Sequence, residues 1–133
     1  MRSTFKETIA ATVLAATLAF PVAAFAATGT APSIIAMGQK AKGHSVSIEY
    51  AYLPKDGYLV IHPSDKHGKM RSNVIGQEQL AAGSHDHVSV KLDVPIKSGQ
   101  TFWAELQQKP FANGSSHPFQ DNGTPVQESF VIQ

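Results

Sequence analysis

The sequence predicts an all-β domain, an antiparallel β-sandwich of about seven strands, and three observations carry that reading. Short segments with period-two alternation recur along the chain, Gly and Pro turns separate them, and after residue 26 no helical pattern outlasts one turn. An open barrel is the alternative closure. The chain has 133 residues and no cysteine, so neither disulfides nor thiolate metal sites, iron–sulfur clusters or a thiol nucleophile enter the argument.

The first 26 residues read as an export signal. Arg2 and Lys6 precede an apolar stretch from Ile9 to Phe20, Pro21 breaks it, and Ala24-Phe25-Ala26 supplies small residues for cleavage. The expected divisions are therefore a signal peptide at 1–26, a short tether at 27–32 and a β-sandwich domain at 33–133, with a periplasmic or secreted destination and no stable membrane span after cleavage. Removing Arg2, Lys6 and Glu7 from the totals leaves nine basic and nine acidic residues. A neutral domain without a basic run gives no electrostatic case for nucleic acid or for an anionic membrane.

Each strand has its own signature. Period-two alternation dominates from Ser33 onward, and Met37 fits the first strand as a core filler. Val46, Ile48, Tyr50 and Tyr52 share one parity and predict a half-buried strand facing the core. Pro54-Lys55-Asp56-Gly57 is a turn, because Pro pre-sets φ and Gly permits the positive φ that closes it. Tyr58-Leu59-Val60-Ile61 is apolar on both parities, as in a central strand covered on both faces. Ser64 to Arg71 reads as a loop, and Gln77 to Ala82 as a helical turn stopped by Gly83. Val88, Val90 and Leu92 point inward along the next strand. Phe102, Ala104 and Leu106 take one face of the strand from Thr101 to Gln108, with Trp103, Glu105 and Gln107 on the other. Residues 109–125 form a long loop, a length usually reserved for function. Val126, Phe130 and Ile132 close the chain as a strand, and Glu128 falls on their inward parity.

The order of these motifs resembles a family of exported domains, the domain of unknown function numbered 7282. The resemblance rests on Gln39 ahead of an alternating strand, Gly57-Tyr58-Leu59-Val60-Ile61-His62, Gly83-Ser84-His85 with Val88, Val90 and Leu92, Ala104-x-Leu106, and Gly123-Thr124-Pro125-Val126. It covers most of residues 39–132. The family's His after Ala-x-Leu is Gln107 here, so any ligand or catalytic role of that His is lost. The resemblance implies a β-sandwich on a cell-surface or periplasmic protein, and no activity.

Three chemistries compete on the residues. His85 and His87, two apart on a strand, would share a face and grip copper or nickel if a third ligand came from His62, His67 or His117; solvated strand histidines are the plain alternative. Met37 and Met70 lack the clustered spacing of copper carriers. Ser64-Asp65 near His67, and Ser84-His85-Asp86, contain hydrolase residue types, but a triad needs groups converging from separate elements. Glu49, Asp56, Glu105 and Glu128 sit in different elements and make no carboxylate pair. Trp103, with Glu105 and Gln107 beside it, is the candidate contact surface, together with the loop tip at 113–117. The plainer expectation is that the 109–125 loop covers Trp103 through Phe111 or Phe119. The sequence thus points to an immunoglobulin-like, non-enzymatic binding or interaction module without a cofactor, whose ligand is an unknown protein or cell-surface component. A metal-binding protein using His85, His87 and His62 is the alternative.

Overall fold

A computed structural model describes residues 31–109 and 117–133. The expected signal at 1–26, most of the 27–32 tether, Phe111 and most of the loop tip at 113–117 lie outside the described residues. The described residues form nine strands: β1 (Ser33–Ile35), β2 (Ser45–Leu53), β3 (Gly57–Pro63), β4 (Gly76–Leu80), β5 (Gly83–Lys91), β6 (Thr101–Gln108), β7 (Gln120–Asp121), β8 (Thr124–Pro125) and β9 (Gln127–Val131). They build a three-stranded sheet, β1-β2-β5, and a four-stranded sheet, β4-β3-β6-β9, with β7-β8 as a small hairpin. Every pairing between strands is antiparallel. The seven principal strands take the sheet orders A-B-E and C′-C-F-G of immunoglobulin-like sandwiches.

The core lies between the sheets. Ile48, Leu53 and Val90 of one sheet face Leu59, Ile61 and Leu106 of the other, all fully buried. Strand β3 is central in its sheet and is buried on both faces from Leu59 to His62, as its unbroken apolar run predicts. The hairpin turn is equally legible: Asn122 and Gly123 both have positive φ, 52° and 81°, between the paired Asp121 and Thr124. Asn-Gly meets that two-residue turn's demand with little steric cost.

Three expectations are overturned. Residues 77–80 are not a helical turn but most of edge strand β4, with Gln77, Glu78 and Gln79 exposed. Their polarity suits an edge, where a charged or amide-rich strand resists further pairing. Close packing sets where the strand begins: a Cβ on Gly76 would lie 2.6 Å from the Lys91 carbonyl and 2.7 Å from Leu92. Second, Met37 is not in the core; β1 ends at Ile35 and Met37 is exposed.

Third, the inward parity of β2 changes along its length. Val46 and Ile48 are buried, but beyond them Ala51 and Leu53 are buried, and Tyr50 and Tyr52 are only partly covered. On β5 the register is continuous through the same point, Ile48 opposite Val88 and Ala51 opposite His85. The change falls where the ladder lacks a Glu49–His87 pair and where His87 has a φ of 51°. A left-handed residue turns the following side chains to the other face, at a cost of about 1–2 kcal/mol for a residue with a Cβ.

Gln39 joins the two sheets. Its N–H donates to the Val131 carbonyl and its own carbonyl accepts from Gln133 N–H, a parallel bridge to the end of β9. Its side-chain amide turns to the other sheet: Nε2 donates to the Ser47 carbonyl at 2.8 Å, and Oε1 accepts the Ser47 N–H at 2.9 Å. One residue thereby serves as backbone neighbour to β9 and side-chain neighbour to β2.

Candidate functional site

The outer face of the four-stranded sheet carries the candidate surface. Register sets its rows: Gln79, Tyr58 and Gln107 lie side by side; then Gln77, Val60, Glu105 and Gln127; then His62, Trp103 and Ser129. Neighbouring side chains on one sheet face stand about 5 Å apart, and diagonal ones remain within reach when long. Four glutamines, a tyrosine and a tryptophan therefore share one face with one ionisable pair.

That pair is His62 and Glu105, diagonal neighbours on β3 and β6. They are 3% and 6% exposed, and Nε2 lies 3.1 Å from Oε1. On its other side, Nδ1 of His62 is 3.0 Å from the Asn73 carbonyl. A carbonyl only accepts, so Nδ1 holds a proton, and the Nε2–Oε1 contact needs another between two acceptors. Burial alone would lower the His62 pKa, but the hydrogen bond and charge of Glu105, with the carbonyls of Asn73 and Arg71, outweigh it and raise the value. Burial likewise pushes Glu105 up, but the His62 bond, the Gln107 bond and the His62 charge together bring it down. Both directions describe an imidazolium–carboxylate pair. Gln107 Nε2 donates to the same Oε1 at 2.9 Å.

The sequence placed Trp103, Glu105 and Gln107 on one face, and there the structure puts them. Of the two rings expected to cover Trp103, Phe111 lies outside the described residues and Phe119 is placed elsewhere. Trp103 is half-buried, and its Nε1–H donates to the Gly68 carbonyl at 3.1 Å. The loop after β3 therefore folds over this face, anchored by His62 at Asn73 and by Trp103 at Gly68. Phe119 does not pack on the indole in the expected way. It is a core residue, in the space left by Gly57, where a Cβ would come within 2.7 Å of its ring. His62, which sequence reasoning treated as a third metal ligand, is the residue that holds Glu105 in place. Its one sequence signal was a His closing an otherwise apolar central strand.

The histidines do not assemble. His85 Nε2 is 2.7 Å from the Ala81 carbonyl, His87 pairs with Glu49 at 3.0 Å, and His62 is engaged at both nitrogens in the other sheet. The parity change separates His85 from His87, since one stands opposite buried Ala51 and the other pairs with half-buried Glu49. Among the described residues, no group of three His, Asp or Glu side chains suits a metal ion. The hydrolase residue types are also dispersed: Ser64 Oγ donates to the Asp65 carbonyl and Ser84 Oγ shares a hydrogen bond with Tyr50. Glu49, Asp56 and Glu128 serve separate partners, Glu128 accepting the Ala36 N–H from its half-buried inward position. Among the described residues no helix is long and apolar enough to cross a membrane.

No solved structure matches the chain. Over 97 residues it is 31% identical to a protein named Cell surface glycoprotein 1 from Haloarcula hispanica. That alignment covers 68% of this chain and 10% of the relative, so the chain spans about a tenth of the length of the curated relative it matches. Residues 32–133 match the family described as Domain of unknown function (DUF7282), and with nearly the whole sandwich inside that match, the chain belongs to this family.

Proposed function

We propose that the protein is a non-enzymatic binding module displayed outside the cell or on its surface, and that the outer face of β4-β3-β6-β9 is its contact surface. The observation that carries this reading is the fixed indole among amides: Trp103, tied to Gly68, on one face with Gln77, Gln79, Gln107 and Gln127. An aromatic ring held in place loses little entropy on binding, and the exposed amides of Gln77, Gln79 and Gln127 both donate and accept, so the face suits a neutral polar ligand such as a sugar chain or a polar peptide. The buried His62–Glu105 pair lies beneath it as a rigid support. The name of the surface glycoprotein that the chain resembles supports a place outside the cell, as does the signal-like leader.

The test is retention on cells. Labelled purified protein should remain on intact cells after washing, and the combined Trp103→Ala, Gln107→Ala and Gln127→Ala variant, checked for native circular dichroism, should be lost. Equal retention of that variant, or no retention of the wild type, would overturn the proposal.

A further inference from the structure

Overall neutrality conceals a segregation of charge. Strand directions place segments 36–44, 64–75 and 91–100 at one end of the sandwich: β3 runs into this end at Pro63, β5 runs into it at Lys91, and β2, β4 and β6 run out of it. These segments hold Lys40, Lys42, Lys66, Lys69, Arg71, Lys91 and Lys97, against Asp65 and Asp93 alone. Seven of the nine cations after residue 26 thus meet two of the nine carboxylates, an excess of five positive charges. The other two cations, Lys55 and Lys109, lie at the far end, where Lys109 pairs with Asp56.

All seven cations are exposed, and among the described residues none is in an ion pair. Asp65 accepts the N–H groups of His67 and Lys69 and interacts with the charges of Arg71 and Lys69, so it offsets part of the excess and leaves the rest of the segment's cations uncompensated. The segments are also tied together. Leu92 N–H donates to the His44 carbonyl, Asp93 N–H to Ile75, and Gly99 N–H to Ile132, while Gln133 N–H reaches Gln39. The charges therefore stand on a hydrogen-bonded platform rather than on independent loops.

We infer that this end is a docking surface for an acidic polysaccharide, a chain of carboxylate-bearing sugars. The proposal rests on the surface location argued above but uses the end of the sandwich rather than its sheet face, the two meeting at the loop that Trp103 holds at Gly68. Six of the seven cations are lysines, flexible point charges spread over three segments, which suits repeated anions along a polymer better than one anion held by an arginine fork. An anionic bilayer is less suited. The exposed large apolar side chains, Ile35 on β1, Met37 after it, Val74 before β4 and Val131 on β9, are divided among different strand edges, without an exposed aromatic anchor among them.

The purified protein should bind polygalacturonate at low ionic strength and not neutral dextran, with affinity falling roughly tenfold or more on going to about 0.2 M salt as exposed charges are screened. The triple variant Lys66→Gln, Lys69→Gln, Arg71→Gln should lose at least about tenfold in affinity, a factor worth about 1.4 kcal/mol. The far-end pair Lys55→Gln, Lys109→Gln should bind like the wild type. No binding at low salt, indifference to the triple variant, or tighter binding to phosphatidylglycerol vesicles or duplex DNA than to polygalacturonate would overturn the inference. Failure of polygalacturonate binding with retention on cells intact would overturn this inference and not the module reading.

Discussion

His62 Nε2 and Glu105 Oε1 are 3.1 Å apart on the face of the sheet that a two-layer sandwich normally turns to water, and both side chains are buried there. The loop after β3 makes this possible, since it supplies the Asn73 carbonyl that fixes the imidazole. The pair therefore couples the sheet face to the loop that covers it.

The first prediction is a pH dependence. His62 has its pKa raised above 6.5, so its contribution is complete below 6.5 and is lost as pH rises through the folded value. Glu105 is lowered from 4.5, so its contribution is complete above 4.5 and is lost as pH falls through its folded value. Stability from the pair should be greatest between pH 4.5 and 6.5 and decline on both sides. Chemical denaturation of wild type and of a His62→Leu, Glu105→Leu double variant should differ in this pH profile. Either single substitution should cost about 3–5 kcal/mol by leaving a buried partner uncompensated, and the double variant less than either. A double variant worse than both singles would show that the pair is not held by its charges.

Gln39 gives the second prediction. Gln39→Ala removes both bonds to Ser47 while sparing the backbone bridge to β9. At roughly 0.5–1.5 kcal/mol per net hydrogen bond, the loss should be about 1–3 kcal/mol. Gln39→Glu keeps the acceptor for Ser47 N–H but sets a carboxylate against the Ser47 carbonyl, so it should recover little. Equilibrium denaturation measures both, and full stability of Gln39→Glu would mean that the donor half of the clamp is dispensable.

These two residues show how far the sequence was legible. Alternation and turn chemistry reveal strands wherever the environment is one-sided, as at 101–108, where Phe102, Ala104 and Leu106 lie inside. They mislead at 77–80, because an exposed edge strand has no apolar face to reveal it. They also mislead at Tyr50 and Tyr52, where the inward parity of β2 changes opposite the left-handed His87, and local pattern does not record a partner's φ. For the candidate site, the shared face of Trp103, Glu105 and Gln107 follows from period two alone. The burial of Glu105 depends on a diagonal partner 43 residues away and on a loop carbonyl, neither of which has a local signature.

Phe119 supplies the third prediction. It is buried against Gly57 and lies apart from the Gly68 contact of Trp103. Phe119→Ala should therefore cost about 3–5 kcal/mol as a core truncation. The folded protein should nevertheless keep its native Trp103 emission wavelength. A red shift in the folded variant would place Phe119 over the indole instead. Gly57→Ala should also destabilise, by about 1–3 kcal/mol, because its Cβ would press on the Phe119 ring and on the Gln107 carbonyl.

The last prediction separates strand propensity from observed backbone. His87 lies inside a strand by pattern, and replacing a solvated strand residue with Val should ordinarily help, since β-branched residues favour strands. Its φ is 51°, however, a region that β-branched side chains resist more than most. His87→Val should therefore destabilise the domain by about 1–3 kcal/mol, the usual cost of holding a residue in a sparsely populated backbone region. The lost Glu49 contact is a minor part, because the pair is solvent-exposed. His87→Gly should stay within about 1 kcal/mol of wild type, since relief of the left-handed strain offsets the greater backbone entropy that glycine loses on folding. Denaturant melts of the three proteins decide the matter. If His87→Val equals or exceeds the wild type in stability, the strand is pleated through residue 87, and the parity change that separates His85 from His87 does not occur.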